Sequence, residues 1–199
     1  RLPPEHFFSA VRSGIRYVHA APVLRNVLVR TVAFFVFGSA GWALLPLVAR
    51  RELGLGPAGY GVMLACIGLG AIAGAILLPR LRQRLNADRL MVAASLTFAI
   101  TMLALAFVRH FWLLNLFEFF TGFAWIAVLS TLNLGAQRSA ARWVKARALA
   151  VYLTVFFGSM TAGSPVWGQI ASQFGTPASL VVATLGMVLA SMTVFRWKL

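Results

Sequence analysis

Six apolar stretches constrain this chain more than any other feature of its sequence. Each has roughly 20 residues, the length that crosses a hydrocarbon core about 30 Å thick as a helix. The predicted spans are about 31–49, 60–78, 90–108, 112–134, 148–171 and 177–195. The sequence therefore predicts an all-α polytopic membrane protein with six transmembrane helices.

The composition agrees with that class, since 60% of the 199 residues are hydrophobic and 11% are charged. Soluble domains average about 45–50% apolar and about 25% charged residues. A net charge of +14 is also typical of nucleic-acid binding. Here the basic residues lie in short runs between the apolar stretches, as in the loops of membrane proteins. We expect contact with the lipid bilayer and no nucleic-acid partner.

The residues that usually carry enzymatic or metal chemistry are sparse. Cys66 is the single cysteine, so an intrachain disulfide is excluded. His6, His19 and His110 are too scattered for a metal site. No serine or cysteine has the histidine and acid partners that nucleophilic catalysis needs. We expect neither an enzyme nor a metal or other cofactor.

Residues 1–26 are predicted to form a cytoplasmic linker before a transmembrane domain at 27–199. Apolar side chains recur there at helical spacing: Phe8, Val11, Ile15 and Val18. This pattern favours a short amphipathic helix in the membrane interface, and Pro22 fits the start of the next helix. Because the chain begins with Arg1 and has no signal-peptide pattern, we expect a piece of a longer polypeptide.

The lysines and arginines predict the orientation. Of the 18 in the chain, only Arg50, Arg51 and Arg109 fall on one side of the predicted spans. The positive-inside rule places both ends in the cytoplasm, and we expect the plasma (inner) membrane. The cytoplasmic loops are predicted to carry Arg80, Arg82, Arg84 and Asp88 after span two, and Arg138 and Arg142 after span four. These charges either anchor the helices or form a gating charge pair.

Prolines and glycines occur at particular positions in the predicted spans. Pro46 is expected to kink span one, and Pro79 to end span two. Spans two and five, the second members of two triplets, are both rich in glycine, which indicates a 3+3 inverted repeat of the kind found in secondary transporters. The positions are Gly61, Gly68, Gly70 and Gly74, then Gly158, Gly163 and Gly168 with Pro165. They serve either static helix packing or a hinge.

Glu118 is the candidate functional residue. The chain has four acidic residues, and this one alone lies inside an apolar span, where a charge costs roughly 3 kcal/mol. Helical spacing places a polar and aromatic set on or near its face: Asn115, Thr121, Gly122, Trp125 and Asn133. Glu118 either exchanges protons in a transport cavity or holds helices together as a protonated or paired group.

Two long segments carry a resemblance to a known family: GYGVMLACIGLGAIAGAILLPRLRQRL (59–85) and STLNLGAQRSAARWVKARALAVYLTVFFGSMTAGSPVWGQIA (130–171). The pattern resembles the carboxy-terminal half of a major facilitator superfamily transporter, in the secretion-effector branch that includes the enterobactin exporter. Gly163, Pro165 and Gly168 are similar to that family's glycine–proline motif, which Ser164 interrupts. Pro79 stands before Arg80 where the family's gating loop has an acid.

The resemblance implies half of a twelve-helix fold. Spans one and four then line the central cavity, two and five face a missing amino-terminal six-helix half, and three and six face lipid. Glu118 points at the transport path, with Ser39 and Trp42 opposite on span one. We expect proton-coupled export of small amphipathic molecules, such as siderophores or drugs, by alternating access. The alternative is a six-helix membrane scaffold that binds a partner without transporting.

Overall fold

The computed structural model describes residues 21–140 and 145–192. Within these ranges the chain forms six α-helices. They are α1 (Pro22–Leu47), α2 (Pro57–Arg84), α3 (Ala87–Phe107), α4 (Phe111–Arg138), α5 (Lys145–Phe174) and α6 (Thr176–Ser191). A π-helical turn, Val48–Glu52, continues α1. The described part of the chain contains no strand.

Five of these helices are long and apolar enough to cross a membrane, counting the π-helical turn with α1. The sixth, α6, is apolar but has 16 residues. Part of its predicted span, 193–195, lies outside the described residues. The all-α membrane architecture is therefore as predicted. The amphipathic helix predicted within residues 1–20, and Arg142 in the second basic loop, also lie outside the described residues.

The prolines act differently at the two ends of the spans. Pro22 is the first residue of α1, where its missing N–H costs nothing. Pro46 lies inside α1 and precedes the π-helical turn. The prediction that Pro79 ends the second span is wrong, because α2 continues through it to Arg84. Pro79 is exposed, and so is Ala75, whose carbonyl loses its intrahelical bond, so other polar groups can satisfy that carbonyl.

The continuation of α2 moves a predicted loop onto a helix. Arg80, Arg82 and Arg84 lie on its last two turns rather than in a loop. Only residues 85–86 separate α2 from α3, and Asp88 lies in the first turn of α3. Arg138 is the last residue of α4. Because α2 and α3 meet at a short connection, the three arginines and Asp88 are held more firmly than they would be in a loop.

The helices pack in definite pairs. The most extensive contacts join α2 to α4 and α1 to α5. The helix α3 packs on α4 and α6, and α6 also packs on α1. The buried faces of α1, α3 and α4 supply most of the core, while most of α2 and α5 is exposed. The core therefore lies between α1, α3 and α4.

Glycines set the close crossing of α2 and α4. A Cβ atom on Gly70 would overlap the carbonyl oxygen of Phe119, and one on Gly122 would overlap the carbonyl oxygen of Ile67. A Cβ on Gly74 would collide with the side chain of Ile126. Small residues allow backbones to approach this closely in a membrane, where packing drives association. The two backbones are in direct contact along this crossing.

The crossing of α1 and α5 combines a glycine with hydrogen bonds. A Cβ on Gly163 would overlap the Ser39 hydroxyl, which itself donates to the Val36 carbonyl at 2.7 Å. The Trp167 indole Nε1–H donates to the same carbonyl at 2.7 Å, across the two helices. By contrast, a Cβ on Gly158 or Gly168 would meet no atom within 4 Å. The glycines of α5 thus divide between a packed face and an open one.

Replacing Trp167 with phenylalanine should lower the free energy of unfolding by about 1 kcal/mol, because it deletes the Nε1–H donor while keeping an aromatic ring beside Phe37. Reversible SDS unfolding in mixed micelles measures the change. Trp112→Phe is the matched control, since Trp112 is 71% exposed. Equal destabilisation by the two variants would contradict a role for this hydrogen bond.

Candidate functional site

Glu118 lies in the interior of the bundle. It is on the third turn of α4, roughly 10 Å from the start of that helix. Its side chain is 2% exposed in the described structure. Two ion pairs occur among the described residues, Arg30–Asp88 and Arg109–Glu52, and neither includes Glu118. An acidic group thus lies buried in an apolar membrane bundle without a cationic neighbour among the described residues.

A narrow cleft adjoins this carboxyl group where α1, α3 and α4 converge. Its volume is about 10 Å³, room for roughly one water molecule. The lining residues are Gly41, Trp42, Leu45, Ile67, Phe98, Thr101, Met102, Leu105, Glu118 and Thr121. Most of them are apolar, so the few polar groups in the cleft define its chemistry.

Four of the residues that line this cleft carry polar side-chain groups: Trp42, Thr101, Glu118 and Thr121. The Thr121 hydroxyl lines the cleft with Glu118 and donates to the Phe117 carbonyl at 3.2 Å. The Trp42 Nε1 atom is buried and has no hydrogen-bond partner among the described residues. A buried donor without a partner is costly, so this N–H is available to a carboxylate or to a water molecule. The arrangement can hold or release a proton at Glu118.

Trp125 belongs to an aromatic cluster next to this cleft. Its ring packs at centroid distances of 5.2 to 6.4 Å against five others: Phe34, Phe35, Trp42, Phe98 and Phe156. Trp42 belongs to both the cluster and the cleft. The aromatic cluster therefore connects the Glu118 region to α1, α3 and α5.

The structure does not bring the other predicted polar residues into the cleft. Asn115 Nδ2 donates to the Phe111 carbonyl at 2.9 Å, one turn closer to the start of α4. Asn133 bonds to Gln137 and lies roughly 22 Å along the helix from Glu118. Ser39 is at the crossing of α1 and α5, beside Gly163. Helical spacing identified a shared face, but of the predicted polar and aromatic residues only Thr121 and Trp42 line the cleft with Glu118.

Sequence reasoning missed a buried ion pair between α1 and α3. Arg30 Nη2 lies 2.7 Å from Asp88 Oδ1, and the arginine side chain is 1% exposed. The sequence placed Arg30 at the border of span one and Asp88 in a loop. The available signal was that Asp88 is one of only two acids, with Glu5, among many cations on that side of the spans, which makes it a natural partner for a buried arginine.

Of three comparisons with known proteins, one found a match. A family model described as transmembrane secretion effector matches residues 1–199. No curated protein and no solved structure matches the chain.

Proposed function

We propose that this chain, which belongs to the transmembrane secretion effector family of the major facilitator superfamily, is part of a proton-coupled exporter. Membership supports a multi-pass membrane transporter or secretion effector, a class that is not enzymatic. The coupling ion, the direction of transport and the substrate class are our proposal.

The observation that carries the proposal is Glu118 buried beside Trp42 and Thr121 in an apolar helical bundle. Ionisable groups in such positions are usually functional. In alternating access, the site opens to each side of the membrane in turn. Glu118 would take up a proton from one side and release it to the other. The cleft holds about one water molecule, so this exchange requires α1 and α4 to separate.

We assign the substrate path to the aromatic side of the same region. The Trp125 cluster offers flat apolar surfaces, and Glu118 offers one polar contact. This combination suits small amphipathic molecules such as siderophores or drugs. Asn115 and Ser39 would border the path, and Asn133 would lie nearer its cytoplasmic end.

A second six-helix half would complete the transporter. The faces of α2 and α5 that carry Gly68, Gly158 and Gly168 are open, although small residues usually mark helix contacts in membranes. Large side chains such as Leu69 and Phe157 are about 60% exposed on the same two helices. An amino-terminal half packed against α2 and α5 would cover these faces.

The helix contacts also support a 3+3 inverted repeat. In such a repeat α1 corresponds to α4, α2 to α5 and α3 to α6. The contact between α1 and α5 then corresponds to the contact between α4 and α2. The contact between α3 and α4 corresponds to the contact between α6 and α1. The α3–α6 pair maps onto itself. Each of these contacts occurs in the structure, which is the pattern that two inverted triplets produce. The lysine and arginine distribution supports cytoplasmic ends in the inner membrane.

The Glu118→Gln variant tests the proposal in the full-length protein. Proteoliposomes would be loaded with a panel of dyes and siderophores, and flux measured with and without a proton gradient. We expect gradient-driven flux to fall to that of protein-free vesicles, because glutamine keeps the shape but cannot exchange a proton. Glu52→Gln, which removes an exposed carboxylate paired with Arg109 at the end of the bundle, should transport like the parent.

Two results would contradict the proposal. Equal gradient-driven flux in Glu118→Gln and the parent would leave the carboxyl group a structural role. If the parent itself moves no compound of the panel under any gradient, the non-transporting scaffold is favoured. In that case a partner should bind the open faces of α2 and α5.

A further inference from the structure

A second, larger pocket lies at the opposite end of the bundle from the Val48–Glu52 turn. Its volume is about 420 Å³, and it opens where α2 ends and α3 begins. It is bordered by α1, α2, α3 and α4. The residues used below are Arg82, Asn86, Thr131 and Arg138, with Val27 and Leu90 among the apolar lining. None of these residues lines the Glu118 cleft.

Arg82 is held in place at this pocket. Its Nη2 donates to the Ser130 hydroxyl at 2.8 Å, across the gap from α2 to α4. An arginine has five N–H donors in a planar fork, so the bond to Ser130 orients the guanidinium while using one of them. This arginine is positioned by the protein rather than extended into water.

Arg138 and the start of α3 add to the same electrostatic character. Arg138 is the last residue of α4 and is exposed at the mouth of the pocket. Asn86 precedes α3 in an extended conformation, and its side chain makes no capping bond to that helix. The first amides of a helix favour an anion. Two guanidinium groups and a helix start therefore border one space.

The acids of the described residues do not neutralise this pocket. Asp88 is the acid at this end, and its carboxylate is engaged with Arg30 at 2.7 Å. Glu52 pairs with Arg109 at the other end of the bundle. Glu118 is buried in the separate cleft. An anion entering the pocket would meet positive charge from Arg82 and Arg138.

We propose that this pocket binds the phosphate headgroup of an anionic phospholipid from the adjacent leaflet. Arginine matches phosphate oxygens with paired, charge-assisted hydrogen bonds. The apolar part of the lining can contact the acyl chain of a lipid. A free phosphate ion would leave that part in contact with water. Basic pockets between transmembrane helices at the headgroup level are the usual setting for such lipids. The Thr131 hydroxyl already donates to the Ala127 carbonyl at 2.7 Å, so the two arginines supply the contacts to the phosphate.

The test measures lipid binding to the purified full-length protein by native mass spectrometry. The probes are phosphatidylglycerol, zwitterionic phosphatidylcholine and inorganic phosphate. We expect one phosphatidylglycerol to remain bound to the parent, with an affinity at least about tenfold higher than in Arg82→Gln/Arg138→Gln. The matched control is Arg84→Gln/Arg89→Gln, which removes the same charge at neighbouring exposed positions outside the pocket. Its affinity should equal that of the parent.

A variant with one substitution protects the test against misfolding. Arg138→Gln alone changes an exposed residue at a helix end, and it should weaken phosphatidylglycerol binding while Arg84→Gln alone does not. Equal weakening in the two double variants would indicate diffuse surface charge and overturn the site. Displacement of phosphatidylglycerol by an equal concentration of inorganic phosphate would overturn the assignment to a lipid, as would equally tight binding of phosphatidylcholine.

Discussion

The Gly122→Ala variant should lose more than about 3 kcal/mol of unfolding free energy. Its new Cβ would overlap the carbonyl oxygen of Ile67 and approach the Ala71 amide, which are backbone atoms of α2. A side chain can rotate away, but a backbone can retreat only if the whole helix moves. Overpacking usually costs about 1–3 kcal/mol where side chains can adjust. The free-energy cost of moving α2 away from α4 should exceed that range.

Reversible SDS unfolding in mixed micelles measures this effect. Gly70→Ala, which places a Cβ against the Phe119 carbonyl from the other helix, should be similarly damaging. Gly68→Ala is the matched control, because its Cβ would meet nothing within 4 Å on the same helix. That variant should be neutral, or gain up to about 1 kcal/mol from better helix propensity. Comparable losses at Gly68 and Gly122 would mean that glycine flexibility matters rather than the close crossing.

Asp88→Ala should cost about 3 kcal/mol, the lower end of the range for breaking a buried ion pair. The substitution leaves the Arg30 guanidinium buried without its carboxylate. Replacing both members with apolar residues, as in Arg30→Met/Asp88→Ala, should recover most of the loss, since the desolvated charge is then gone. A double-mutant cycle on unfolding free energies isolates the coupling between the two side chains.

The Arg109–Glu52 pair is the control for that cycle. Its nitrogen–oxygen distance is 3.2 Å, and the two side chains are 37% and 29% exposed. Solvent screens such a pair, so Glu52→Ala should cost less than about 1 kcal/mol. If Asp88→Ala costs no more than Glu52→Ala, the buried position of Arg30 does not strengthen its pairing.

The sequence predicted those features that depend on a single helix, namely its position in the chain and the residues on each of its faces. Apolar length located the six helices, and helical spacing placed Thr121 near the face of Glu118. It could not reveal which helix covers a given face. Gly70 and Gly158 look alike in sequence, yet one contacts the α4 backbone and the other meets open space. The partner helix decides that difference, and the sequence pattern does not identify the partner.

The missed ion pair has a similar cause. Arg30 and Asp88 are far apart in sequence: Arg30 directly precedes the first predicted span, and Asp88 lies in a predicted loop. Their contact follows from the packing of α1 near α3, which no local pattern specifies. Pro79 was misread for the opposite reason. Proline was treated as a helix end, although an exposed position at the border of a span tolerates the lost hydrogen bond.

The short connections at one end of the bundle limit how other molecules can recognise it. Residues 53–56, 108–110 and 175 join the helices there, and Gly175, with φ of +89°, is the whole link between α5 and α6. An antibody or protease arriving from that side would find almost no peptide outside helical structure. An epitope tag inserted at that end would therefore be safest at 53–56, since at Gly175 it would break the α5–α6 hairpin.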